Sequence, residues 1–292
     1  MADGHAGIGE ATRALQAGAV LIADRDARRR AELAAVVARF NPGATVVETD
    51  SGETLIELAL AHKPALAFVG LQLEGLSGPE AVAVARKRGA ALPCLVLIAA
   101  RVFAQWQELA VSLGAYEVLK VPLDTDHIES LLHADARRRQ STRILLASSS
   151  DAARAAIGRV LGRSGFALEI DETDCGRHAF KLLKSDAYPL AFVDVKLGGI
   201  DGLELACQVQ PLGLSTHLTV LTTGDPEPIA QAARYFGAAF VLRMPFHARD
   251  IDLALHHAFG LRRPYLLNAI TAPPAPTALL RIAALAPHRR SA

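Results

Sequence analysis

The sequence predicts two doubly wound α/β domains in tandem, each built on a five-stranded parallel sheet. Three observations carry the prediction. The chain has 292 residues, a comfortable length for two domains. It repeats itself: "AFVGLQLEGLSG" starts at Ala67 and "AFVDVKLGGIDG" at Ala191, an offset of 124 positions. Further blocks recur in the same order, "VLIADRDARRRAEL" from Val20 with "ILLASSSDAARAAI" from Ile144, "LVLIAA" from Leu95 with "LTVLTT" from Leu218, and "LGAYEVLKVPL" from Leu113 with "FGAAFVLRMPF" from Phe236. Within each copy, short apolar runs alternate with amphipathic stretches, the pattern of a parallel sheet covered by helices.

Taken in order, the first copy is expected to place strands near 19–23, 44–48, 65–70, 94–98 and 116–120, with helices between them and a last one near 124–139. The second places strands near 143–147, 167–171, 189–194, 218–222 and 239–242. Runs such as "PALAFV" lack polar alternation, as suits strands buried on both faces. Asp26, and Ser150 or Asp151, stand where an N-cap would open the first helix of each copy. The junction "ARRRQSTR" holds no Gly/Ser linker, so a restricted hinge is expected. The expected layout is a flexible N-terminus at 1–18, domains at 19–140 and 141–260, and a Pro/Ala-rich tail at 261–292. Within the tail, "TALLRIAALA" reads as either frayed chain or a short amphipathic helix.

Composition narrows the function classes. The net charge of +1 gives no basic field for nucleic acid or acidic lipid. The three cysteines, Cys94, Cys175 and Cys207, have no CxxC partner, so each is expected to be a small buried hydrophobe in a reducing compartment. The first residues lack a signal-peptide layout, and runs such as "LPCLVLIAA" fall short of the roughly 20 residues a membrane helix needs. A cytoplasmic protein with no nucleic-acid or membrane partner is the expectation. His178 has helical spacing to Cys175, a two-ligand signal weaker than an exposed polar face. His256 and His257 have no metal-ligand partner at helical spacing. The "RRR" runs at 28–30 and 137–139 read as solvated helix faces.

Each copy resembles the receiver domain of bacterial response regulators, over about 19–139 and 143–260. The resemblance implies the 2-1-3-4-5 strand order, with a site at the carboxyl ends of the strands. It implies an acidic pair after strand one and an aspartate ending strand three, which together hold Mg²⁺. That aspartate takes a phosphoryl group from a histidine kinase. A Thr or Ser ends strand four, and a Lys precedes a Pro after strand five. The set answers to charge: a hard cation and an ammonium neutralise the transferring dianion.

Measured against that pattern, the first copy is a pseudo-receiver. Asp24 matches the first acid, Arg25 replaces the second, Gly70 the acceptor, Ile98 the hydroxyl and Val121 the lysine before Pro122. Arg25 either pairs with Asp24 in place of a metal or points to solvent. The second copy keeps Asp194 as candidate phosphoacceptor and Thr222 as the phosphate-contacting hydroxyl. Ser148 and Ser149 replace its acids, and Met244 replaces the lysine before Pro245. One carboxylate alone makes a weak Mg²⁺ site, so no cofactor is expected. Asp194 would otherwise sit in a self-satisfied cluster with Thr222, Ser148 or Ser149.

The resemblance also implies that signals leave through helix four, strand five and helix five. In "RVFAQWQELAVSLGA", Phe103, Gln107, Ala110 and Val111 are expected to face the sheet, leaving Val102, Trp106, Leu109 and Leu113 as a second apolar stripe. The stripe is a candidate interaction surface, for a homodimer or another protein; with the helix phase one residue off, Trp106 would be core instead. The sequence therefore points to a non-enzymatic regulator. It acts through protein contacts with a histidine kinase, phosphotransfer protein or adaptor, or alternatively as a relay component phosphorylated on Asp194.

Overall fold

The computed structural model describes residues 18–101, 104–185, 187–262, 264 and 279–281. The chain divides into two compact units between Gln140 and Ser141. The first unit runs β1 (Val20–Ala23), α1 (Ala27–Phe40), β2 (Val46–Thr49), α2 (Gly52–His62), β3 (Leu66–Gly70), α3 (Gly78–Lys87), β4 (Cys94–Ala99), α4 (Ala104–Ser112), β5 (Glu117–Lys120) and α5 (Thr125–Arg139). Its sheet is all parallel in the order β2-β1-β3-β4-β5. The second unit runs β6 (Thr142–Ala147), α6 (Asp151–Leu161), β7 (Leu168–Thr173), α7 (Gly176–Ser185), β8 (Leu190–Asp194), α8 (Gly202–Val209), β9 (His217–Thr222), α9 (Pro226–Tyr235), β10 (Phe240–Arg243) and α10 (Ala248–Ala258). These five strands repeat the same parallel order, β7-β6-β8-β9-β10.

Period-two alternation sorts side chains into two cores. In the first unit Leu21, Ala67, Val69, Leu95 and Leu97 enter one core. Val20, Ile22, Leu66, Phe68 and Val96 enter the other, on the opposite face of the sheet. With helices on both faces, β1, β3 and β4 are buried at every position, which is why they read as unbroken apolar runs. Helix starts follow capping chemistry. Asp26 accepts from the amides of Arg28 and Arg29. Ser150, rather than Asp151, caps α6 by accepting from Ala153 N, and Ser77 closes a capping box with Glu80. Cys94 is buried, and burial pushes its thiol up to about 12. Cys207, expected inside, is exposed. Among the described residues no helix is long and apolar enough to cross a membrane.

The tail departs from expectation. Leu279–Arg281 forms β11, antiparallel to β10 with Val241 opposite Leu280. In the five-stranded order β10 is an edge with unpaired amides and carbonyls, and a short extended segment satisfies them. Proline at both Leu279 and Leu280 removes the donor that faces β10, whichever of the two it is. Those amides of Phe240–Leu242 that point toward β11 rather than β9 should then exchange hydrogen about tenfold faster. Unchanged exchange would mean that the strand contributes nothing to the edge.

Candidate functional site at the carboxyl ends of the sheets

In the first unit Asp24 directly follows β1 and is 1% exposed. Its carboxylate accepts a two-point pair from Arg29, Nε to Oδ2 at 3.0 Å and Nη2 to Oδ1 at 2.6 Å. The Asp26 amide adds a third bond to Oδ1 at 2.8 Å. Arg29 also reaches Asp26 Oδ2 at 3.0 Å. The Asp24 hydrogen bond is the main cause that raises the Arg29 guanidinium above its usual range, so its charge is permanent. Of the two alternatives for Arg25, pairing with Asp24 or pointing to solvent, the structure has the second: Arg25 is exposed. Arg29 takes the role because it lies on the first turn of α1, directly over the end of β1. A Cβ at Gly70 would lie 3.0 Å from Asp24 Oδ2, so the small residue leaves room for the turned-in carboxylate.

The strand register corrects one assignment. Gly70 pairs with Ile98, and Asp194 with Leu221. The counterpart of Thr222 is therefore Ala99, not Ile98. One residue fewer between strands three and four of the second copy shifts the offset there, and a one-residue slip turns each side chain to the other face. Ile98 accordingly belongs to the core.

In the second unit Asp194 ends β8 and is nearly buried. Its Oδ2 accepts from Ser148 Oγ at 2.8 Å and its Oδ1 from Lys196 N at 2.9 Å. Ser149 turns away to donate to Lys196 O at 2.7 Å. Thr222 Oγ1 accepts from Gly224 N at 3.0 Å rather than meeting Asp194. Of the three partners weighed for Asp194, only Ser148 bonds it. Ser148 stands at the position of Asp24 and Ala153 at that of Arg29, so the second unit keeps neither member of that pair. The next position is shared: Arg30 donates to Asp24 O at 2.6 Å, and Arg154 to Ser148 O.

Neither site fits the Mg²⁺ that the resemblance implies. In the first, both Asp24 oxygens are held by Arg29. In the second, one carboxylate faces a hydroxyl that already donates to it. Among the described residues no group of three His, Cys, Asp or Glu is placed to hold a metal. His178, weighed with Cys175, has its Nδ1 3.2 Å from Thr173 Oγ1. The arginine runs engage their own unit, as in Arg139 with Asp135 at 2.6 Å and Arg138 over the Tyr116 ring.

The stripe on α4 is also corrected. Val102 and Phe103 lie outside the described residues. Leu113 is buried with Ala110, Leu95 and Val118, and Leu109 packs on the same core. Val111, expected inside, is 40% exposed. Trp106, Leu109, Ala110 and Leu113 follow i, i+3, i+4, i+7 spacing, so core and stripe are one face. Trp106 lies half-buried beside a cavity over the end of the sheet.

Residues 144–256 match the response regulator receiver domain family. The chain is 27% identical over 122 residues to a transcriptional regulatory protein, NarL, of Mycobacterium tuberculosis, covering 41% of this chain and 56% of that protein. It is 30% identical over 97 residues to a transcriptional regulator of Pseudomonas aeruginosa, covering 33% and 46%. The chain thus spans about half the length of these curated relatives. A solved structure described as a two-component system response regulator/GGDEF domain protein shares the fold. Its TM-score is 0.58 at 20% identity, over 83% of this chain and 98% of that one. Residues 144–256 thus carry the likeness to the response regulator receiver domain family, and the two parallel sheets of one strand order make the chain a tandem of two receiver-like domains.

Proposed function

We propose that this chain is a regulatory adaptor of two-component signalling that acts by protein contact, without phosphoryl transfer as its switch. The Ser148–Asp194 hydrogen bond carries the reading. A carboxylate that accepts from a neutral hydroxyl and a backbone amide is satisfied as it stands. A phosphoryl group there would bring a dianion to a site with Met244 in place of an ammonium and serines in place of acids. The first unit, with Gly70 in the acceptor position, has no nucleophile to offer. The fitting partners are a histidine kinase, a phosphotransfer protein, another adaptor or a second copy of the chain.

A second reading, a relay component phosphorylated on Asp194, is favoured by one observation: Asp194 and Thr222 still end neighbouring strands of one sheet. The two readings separate on incubation with acetyl phosphate and Mg²⁺ followed by intact-mass measurement. The expected result is no phosphoryl mass gain in either the natural chain or Asp194→Asn. A robust gain that Asp194→Asn abolishes would overturn the adaptor reading in favour of the relay.

A further inference from the structure

The cavity over the first sheet has a volume of about 650 Å³, well within the range of small-molecule sites. Its floor is apolar, made by Gly70, Ala99 and Val121, and the Trp106 indole lines it. Gly70 and Ala99 stand where the second unit has Asp194 and Thr222, so the hollow is made by the side chains this unit lacks. Arg25 and Arg101 also line it, both exposed and, among the described residues, in no ion pair. The two acids nearby, Asp24 and Asp26, are already paired with Arg29. The lining therefore carries three guanidinium groups against two carboxylates, a net charge of +1 above an apolar floor.

We propose that this hollow is a binding site for a small organic anion, with a flat apolar body against Trp106 and one acidic group held by Arg25 and Arg101. The charge selects an anion, because Arg25 and Arg101 outweigh the single negative charge that Asp24 and Asp26 keep after sharing Arg29. The apolar floor favours an organic ligand over a bare inorganic ion, because only the organic body has apolar surface to bury there. The indole gives an aromatic body a stacking partner. The ligand would bias the first unit in place of a phosphoryl group, from the same end of the sheet. The site is independent of Asp194, so it stands or falls apart from the reading above.

Trp106 is the chain's single tryptophan, so binding reports itself. The full chain is titrated with 8-anilinonaphthalene-1-sulfonate while Trp106 emission and energy transfer to the probe are followed. Saturable quenching at one site is expected. Arg25→Glu with Arg101→Glu should weaken it at least tenfold. Ala100→Phe, which fills the hollow from an exposed position, should abolish it with the circular dichroism unchanged. Sodium sulfate at matched ionic strength should not compete. Absence of saturable quenching would overturn the proposal, as would equal affinity in both variants. Full competition by sulfate would show an inorganic anion site and overturn the apolar part of it.

Discussion

Arg29→Met should destabilise the first unit by about 2–4 kcal/mol. Breaking a buried ion pair by removing one partner leaves the other charge in a poor solvent, which costs more than the pair itself contributes. Asp24 is that charge, with 1% of its side chain exposed against 30% for Arg29. The partial exposure of Arg29 keeps the expected loss below the upper end of the range for buried pairs. Of the three bonds to the carboxylate, the Asp26 amide alone survives the change. Urea unfolding read through Trp106 isolates the effect, because the chain's one tryptophan lies in this unit. Adding Asp24→Asn to Arg29→Met should recover most of the loss, since no buried charge is left unpaired. Arg29→Lys keeps a charge but not the two-point geometry, and should fall between them. A loss below about 0.5 kcal/mol for Arg29→Met would show that solvent already screens Asp24 and that the pair is incidental.

That pair marks where sequence reasoning stops short. The strands were legible because a parallel sheet covered on both faces demands unbroken apolar runs, and the repeat displayed each run twice. The identity of Asp24 as a surviving acid was legible too. Its partner was not, because Arg25 is adjacent in sequence while Arg29 reaches it only once α1 turns back over β1. Comparing the copies position by position carries a signal for it: Arg29 faces Ala153, while Arg30 and Arg154 agree. Ile98 was misassigned for a related reason. Inside a strand, one residue of offset exchanges core for site; the block "LVLIAA" set against "LTVLTT" already places Ala99 opposite Thr222, whereas the offset of 124 taken from strand three points one residue short. Helix four failed differently: with Leu109, Ala110 and Leu113 all apolar, two phases fit the sequence, and the sheet beneath chooses. The pairing of Leu279–Arg281 with β10 depends on a partner far off in the chain, which periodicity within the tail does not contain.

The shared glycines that close the repeated motif should respond against the ordinary propensity rule. Gly to Ala in a helix normally stabilises by up to about 1 kcal/mol. Gly202 opens α8 directly over the end of β8, and a Cβ there would overlap the Asp194 carbonyl oxygen and lie 2.8 Å from its carbon. Gly78 stands in the same relation to the Gly70 carbonyl. The obstacle is backbone in a fully paired central strand, so no rotamer change relieves it. Overpacking of this kind costs about 1–3 kcal/mol, and propensity returns little at the first helical position. Gly202→Ala and Gly78→Ala should therefore each destabilise by about 2 kcal/mol. In Gly202→Ala the strain falls on the residue that carries the candidate acceptor, so the Lys196 amide, which donates to Asp194 Oδ1, should lose hydrogen-exchange protection first. Gly158, inside α6, is the internal control, since its nearest neighbour to an added Cβ is Glu172 Oε1 at 4.0 Å. Gly158→Ala should stabilise by about 0.5–1 kcal/mol. Loss at Gly78 and Gly202 with gain at Gly158 is the pattern that close helix–strand approach requires. A gain at all three would mean that the two copies keep these glycines for some reason other than packing.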